Sequence, residues 1–166
     1  MTSTIAQHRR PEAPVAGFTA AAALAASLQA VLVDLIELHL QAKQAHWNVV
    51  GPHFRELHLQ LDEIVDAARE AGDTVAERLR ALGATADGRS DTVAATTTLP
   101  AFPAGEQATA HVVDLVTDRL RAVVATVRGV HDGVDAADPT SADLLHTIID
   151  ALEKQAWMVG AQNARG

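Results

Sequence analysis

The chain holds 166 residues, with 21 acidic side chains against 13 Lys or Arg, a formal net charge of −8 and no cysteine. Disulfides, thiolate metal ligands and cysteine nucleophiles are excluded, and so is a surface that coats nucleic acid over its whole extent. Phe18, Phe54, Phe102, Trp47 and Trp157 are the only aromatic residues, too few for a single-strand stacking platform, so the core must come from Ala, Leu, Val and Ile.

Residues 1–14 read as a polar, mobile tail, 15–160 as one folded domain and 161–166 as a short C-terminal tail. Arg9-Arg10 ahead of the apolar stretch Ala20 to Val33 has the outline of an export signal. However, Pro11 and Glu12 follow the arginines, Ser27 and Gln29 interrupt the stretch, and Asp34 ends it. The run is too short to span a bilayer and continues in helical register, so a cytoplasmic protein without membrane attachment is expected.

Six prolines, Pro11, Pro14, Pro52, Pro100, Pro103 and Pro139, divide the chain into four long stretches free of proline, which is excluded from helix interiors. In the first, Leu24, Leu28, Val31, Leu35, Leu38, Ala42 and Ala45 alternate steps of three and four, and Gly51-Pro52 close the helix. The second repeats the pattern through Leu57, Leu61, Ile64, Ala68, Ala71, Val75 and Leu79, and ends at Gly83. Residues 84–104 are a long connection rich in Thr, Gly and Pro, with a short helix expected near 91–95. Val112, Leu115, Leu120, Val123, Val127 and Val130 mark the third helix. Leu145, Ile148, Leu152 and Ala156 mark the fourth, with Asp138 as N-cap and Pro139 at its first position. No strand pattern competes. The prediction is an all-α four-helix bundle whose long crossover joins helices two and three, as a ferritin-like bundle requires.

Helix two carries polar residues beside its apolar seam. His58 and Asp62 are four residues apart, as are Asp73 and Glu77, so each pair projects to one side and suits shared binding of a cation. Eleven residues separate Asp62 from Asp73, returning to nearly the same face but about 16 Å further along the axis. The two pairs share a face and cannot share a metal within one chain. Two readings fit this spacing: a solvated face, or a two-fold dimer in which antiparallel copies bring His58 and Asp62 of one subunit to Asp73 and Glu77 of the other, twice per interface. Nitrogen and carboxylate donors without thiolate suit iron, manganese or zinc.

Lys43-Gln-Ala-His-Trp-Asn48, then Gly51-Pro52-His53-Phe54 and Leu57-His58, resemble the Dps family of mini-ferritins, the DNA-binding proteins from starved cells. The family signature of a histidine before Trp-Asn, a second histidine twelve residues on, then Asp, Asp and Glu at steps of four, eleven and four, falls here on His46, His58, Asp62, Asp73 and Glu77. Leu99-Pro100 to Glu106 and Glu153-Lys154 to Met158 extend the resemblance over nearly the whole chain.

The resemblance implies a hollow homo-dodecamer with ferroxidase centres at its two-fold interfaces. His46, His58 and Asp62 would come from one subunit, and Asp73 and Glu77 from the other. Asp62 would bridge two iron positions, and ferrous iron oxidised by hydrogen peroxide, or less efficiently by dioxygen, would be stored as ferric mineral. By the same resemblance, aspartates such as Asp132, Asp135, Asp138 and Asp143 line a three-fold iron channel; caps and turns are their plainer reading. Trp47 either fills a subunit contact or absorbs stray oxidising equivalents, and Trp157 is read as packing. Lys43 is read as a snorkelling surface lysine rather than a partner for a centre carboxylate, His39 as a hydrogen-bonded interface histidine rather than an extra iron ligand, and His53, Asp143 and His146 as surface.

The alternative function is a nucleoid-compacting DNA-binding protein with iron chemistry secondary. Family members that bind DNA often use lysine-rich tails, whereas the only lysines here, Lys43 and Lys154, lie inside helices. The N-terminal tail offers His8, Arg9 and Arg10 against Glu12, and the C-terminus offers Arg165, so DNA binding is expected to be weak and lost at moderate salt.

Overall fold

The structure, a computed structural model, describes residues 13–163. The predicted tail residues 1–12 and 164–166, with His8, Arg9, Arg10, Glu12 and Arg165, lie outside the described residues. The elements in order are α1 (Ala22–Asn48), β1 (Val49–Val50), α2 (Phe54–Ala81), α3 (Ser90–Thr96), β2 (Gln107–Ala108), α4 (Thr109–Ala137) and α5 (Pro139–Gly160), followed by a 3₁₀ turn, Ala161–Asn163. Helix α1 packs on α2 and α4, and α5 closes the bundle against α4 and α2, so the four long helices enclose one core while α3 crosses over α1.

The apolar periodicity buries as the spacing predicts. Leu28, Leu35 and Leu38 of α1, Leu57, Leu61, Ile64 and Leu79 of α2, Leu120 of α4, and Leu145 and Leu152 of α5 are all fully buried. By length and composition α1 is apolar enough to cross a membrane, which the shorter stretch Ala20 to Val33 did not suggest. In the fold it is a central helix, with Leu24, Leu28, Val31, Leu32, Val33 and Leu35 buried along its length.

Helix ends follow local chemistry. Gly83 sits at φ 76°, where a side chain is strained; its N–H donates to Arg80 O and that of Ala84 to Leu79 O, satisfying the last carbonyls of α2 in a Schellman turn. Residues 14–20 run back across this end, with Ala16 N–H donating to Ala81 O and Ala20 N–H to Leu82 O. Pro139 opens α5 with Asp138 as the preceding capping residue. The Asp138 carboxylate does not bond a free amide of the helix. It accepts from the Arg78 guanidinium at 2.5 Å and from the Ser141 hydroxyl, which ties α2 to the start of α5.

One element escaped the sequence pattern. Val49–Val50 pairs in parallel with Gln107–Ala108, in register Val49 with Gln107 and Val50 with Ala108. A two-residue strand carries no readable period; its pairing exists because the crossover delivers β2 beside the end of α1.

The crossover is anchored by two polar networks. Asp34, fully buried in α1, accepts from Thr97 Oγ1 (2.9 Å), Thr98 N (2.8 Å), Thr98 Oγ1 (2.6 Å) and Thr126 Oγ1 (2.7 Å). Arg119 of α4 is buried as well. It donates to Gln41 Oε1, Leu115 O, Pro100 O and Ala101 O, with its guanidinium 5.0 Å from the Phe102 ring centroid. These side chains hold residues 97–102 across α1 and α4, so the long connection has a fixed course.

Candidate metal centre

The end of α1 and the start of α2 cross at a pair of histidines. His46 Nδ1 donates to His58 O at 3.0 Å and His58 Nδ1 donates to His46 O at 2.9 Å. The rings stack with centroids 3.6 Å apart and planes inclined by 24°. A carbonyl only accepts, so both Nδ1 atoms carry the proton and both Nε2 atoms keep a lone pair in the neutral rings. That is the tautomer a metal-binding imidazole needs, with the ring orientation set by the backbone. The sequence permits this because His46 lies in the last turn of α1, His58 in the second turn of α2, and the short linker 49–53 folds one against the other. His53 takes a left-handed conformation (φ 58°) to start α2. Phe54 covers the outer side of His58, with centroids 5.0 Å apart.

Asp62, one turn beyond His58, completes the cluster: its Oδ1 lies 3.3 Å from His46 Nδ1 and accepts from Lys43 Nζ at 2.6 Å. The hydrogen bond from the Lys43 ammonium, aided by its charge, holds the Asp62 carboxyl below the usual carboxylate range despite its partial burial. Lys43 is therefore a partner of the candidate centre, correcting its reading as a snorkelling surface residue. It spans the seam between α1 and α2, which one-dimensional spacing on α1 cannot show.

Asp73 and Glu77 lie further along α2. Both are exposed and take part in no hydrogen bond or ion pair among the described residues. Asp73 opens on a groove of about 750 Å³ between α1 and α2, lined by Leu32, Ile36 and His39 of α1 with Ala68, Gly72 and Asp73 of α2. His39 forms no side-chain hydrogen bond among the described residues; burial, with the charges of Arg69 and Lys43, pushes its imidazole below the usual value. The structure thus brings His46, His58 and Asp62 together and leaves Asp73 and Glu77 apart. Among the described residues no three His, Asp or Glu side chains of one chain converge to hold a metal ion. Within one subunit, two oriented nitrogens and a charged carboxylate lie on one side, and two carboxylates that pair with nothing among the described residues lie further along α2.

Trp47, beside His46, is 67% exposed in the subunit, and Leu40, two turns earlier, is also exposed. Trp157 is 71% exposed in the subunit, so the packing expected of it is not with the core of its own bundle. Asp132, Asp135 and Asp143 are exposed, whereas Asp138 is buried in its pairing with Arg78 and Ser141, so it cannot face a channel from this position. His146 is exposed as expected, but its ring packs on His131, with centroids 4.4 Å apart. Their separation of fifteen residues across the α4–α5 turn gave no signal in the sequence.

The ferritin-like domain family matches residues 25–165. A Deinococcus radiodurans protein named DNA protection during starvation protein 2 is 34% identical over 159 residues, 96% of this chain and 66% of that protein, so the chain spans just under two thirds of that relative's length. The fine tangled pili major subunit of Haemophilus ducreyi is 35% identical over 161 residues, covering 96% of this chain and 85% of that protein. The solved structure of Dps from Microbacterium arborescens in its high iron form aligns with a TM-score of 0.82 at 34% identity, covering 89% of this chain and 99% of that one. With the bundle, the crossover and these matches together, the chain belongs to the Dps family of ferritin-like proteins.

Proposed function

We propose that this protein is a ferroxidase and iron store, a dodecamer whose centres form at two-fold interfaces from His46, His58 and Asp62 of one subunit and Asp73 and Glu77 of the other. The observation that carries this reading is the division of the ligand set into two halves on one helix. His46 and His58 are fixed in the metal-binding tautomer, while Asp73, about 16 Å beyond Asp62 along α2, and Glu77, one turn further, are exposed and pair with nothing among the described residues. An isologous contact of α2 with its copy supplies each half with the other. Neutral imidazole and carboxylate donors hold ferrous iron, and the carboxylates favour the ferric product. Two ferrous ions each give up one electron, and one peroxide takes both, leaving two oxygens at the level of water. Ferric oxide-hydroxide then collects in the cavity, and the paired consumption of peroxide limits oxidative damage.

Mixed assembly tests this. Asp62→Ala and Glu77→Ala are each expected to abolish rapid oxidation of ferrous iron by peroxide. Co-assembling the two variants restores one intact centre at every mixed interface, about a quarter of parental activity for random mixing. A centre built within one subunit gives no recovery.

DNA contact is the second reading, supported by the name of the Deinococcus relative. The net charge of −8 works against it, and the basic residues of the N-terminal tail would carry it. A gel-shift at low and high salt, with residues 1–14 removed, is expected to show weak, salt-sensitive binding that the deletion abolishes.

A further inference from the structure

Thr117 of α4 is 5% exposed, and its Oγ1 is buried with no hydrogen-bond partner among the described residues. Such a hydroxyl is uncommon in a folded protein, because its lost hydration goes uncompensated. Thr117 lines a cavity of about 410 Å³ together with Asp114, Asp118 and Arg121 of α4, Gly160 at the end of α5 and Asn163 of the 3₁₀ turn. Asp114 and Asp118 are four residues apart, so they share one face of α4, and Thr117 lies in the same turn. Asn163 Nδ2 donates to Asp114 Oδ1 at 2.8 Å and to Ala110 O at 2.7 Å, which fixes that carboxylate and leaves its Oδ2 without a hydrogen bond among the described residues. Arg121 Nη1 stands 3.9 Å from Asp118 Oδ1, beyond hydrogen-bond length, and these side chains are 71% and 73% exposed, so the pair neutralises little. Gly160 leaves room beside the hydroxyl: a Cβ there would stand 3.4 Å from Thr117 Cγ2 and 3.5 Å from Thr117 Oγ1. That is ordinary contact, so alanine fits at this position and its methyl would cover the hydroxyl.

We propose that this cavity holds one hard divalent cation per subunit, of the calcium class, at a site separate from the His46 and His58 centre. Asp114, Asp118 and Thr117 Oγ1 are its protein ligands, and water completes the shell. The donors are all oxygen, with no imidazole or thiolate, a set that suits Ca²⁺ over zinc or copper; the irregular cage also suits Ca²⁺ better than the strictly octahedral Mg²⁺. The ion takes a lone pair of the Thr117 hydroxyl that no protein donor reaches. Asn163 is a positioning residue: it holds Asp114 in place, so binding also fastens the 3₁₀ turn Ala161–Asn163 to α4. Two carboxylates set a modest affinity, with a dissociation constant on the order of 10⁻⁴–10⁻³ M.

The test is calorimetric titration of the assembled protein with Ca²⁺, in about 0.15 M salt to screen the surface carboxylates. One site per subunit is expected in the parent. Thr117→Val keeps the shape of the side chain and lowers the affinity about ten-fold, the scale of one polar contact to a charge. Gly160→Ala weakens binding by covering the hydroxyl, and Asp62→Ala leaves it unchanged. Thermal unfolding supplies a second readout. In chelator Thr117→Val is at least as stable as the parent, since it removes an unpaired buried hydroxyl, whereas added Ca²⁺ raises the Tm of the parent and not that of the variant. Equal Ca²⁺ binding by the parent and Thr117→Val overturns the proposal, as does loss of binding in Asp62→Ala. A Thr117→Val chain less stable than the parent in chelator also overturns it, because the hydroxyl then has a partner within the protein. In a crystal soaked in Ca²⁺, an ion within about 2.3–2.6 Å of the Asp114, Asp118 and Thr117 oxygens is expected, and a water in its place overturns the assignment.

Discussion

His46 and His58 hydrogen-bond to each other's main chain, not to each other's rings, through two reciprocal contacts of 3.0 and 2.9 Å. Each ring therefore holds the other in place, and the loss of one is felt by both. His58→Ala removes one donor and also frees the carbonyl of His46. The expected outcome is a fall in Co²⁺ affinity of more than the 10–100-fold typical of losing an orienting partner alone. His58→Gln, which keeps a donor amide but no lone-pair nitrogen, should retain the assembly, as read by size-exclusion chromatography, and still lose tight metal binding.

Asp34 ties the crossover to α1 through four donors, three of them threonine hydroxyls. Asp34→Ala strands those donors in a buried site, and a loss of about 3 kcal/mol in denaturant unfolding is expected. Limited proteolysis should then cut within 84–104, which is resistant in the parent. Asp34→Asn keeps an acceptor and lets the hydroxyls turn to accept, so its loss should be less than half as large.

Arg119 is the second anchor. Burial lowers its pKa, yet it remains a cation whose three nitrogens each donate to oxygen, two of the four acceptors being crossover carbonyls. Arg119→Met fills much of the same space but leaves the Pro100 and Ala101 carbonyls and Gln41 without this donor. A cost of about 2 kcal/mol is expected, together with faster amide exchange across residues 97–103.

Acid should unfasten α2 from α5. Burial pushes the Asp138 carboxyl up, but hydrogen bonds from Ser141 and Arg78 and the Arg78 charge outweigh it, leaving the pKa below the ordinary carboxylate value. A folded pKa below the unfolded one means that the unfolded state binds the proton first. The associated stability is complete above the unfolded carboxylate pKa of about 3.9 and is lost as pH falls below it toward the folded value. Asp138→Asn should therefore lower stability at pH 7, by about 3 kcal/mol for a buried pair broken on one side, and flatten the dependence on pH below about 4. Unfolding curves at pH 7, 4 and 3 check both.

Much of this protein follows from its sequence alone. Proline placement and steps of three and four located the four long helices, because a helix buries one stripe and cannot accept proline inside. The same periodicity placed Asp62 and Asp73 on one face and about 16 Å apart, which by arithmetic denies them a common metal in one chain. Everything that depends on two helices meeting was decided by the tertiary structure. Spacing along α1 does not reveal that Lys43 reaches Asp62 across the seam, nor that His46 and His58 settle each other's tautomer. Asp34 reads as the polar stop of an apolar run, and only the return of the crossover makes it a buried acceptor for Thr97, Thr98 and Thr126. The two-residue strands and the burial of Asp138 beneath Arg78 have the same origin. Periodicity records which face of an element is dry, while the partner of a polar group on that face is set by the packing of elements distant in the chain.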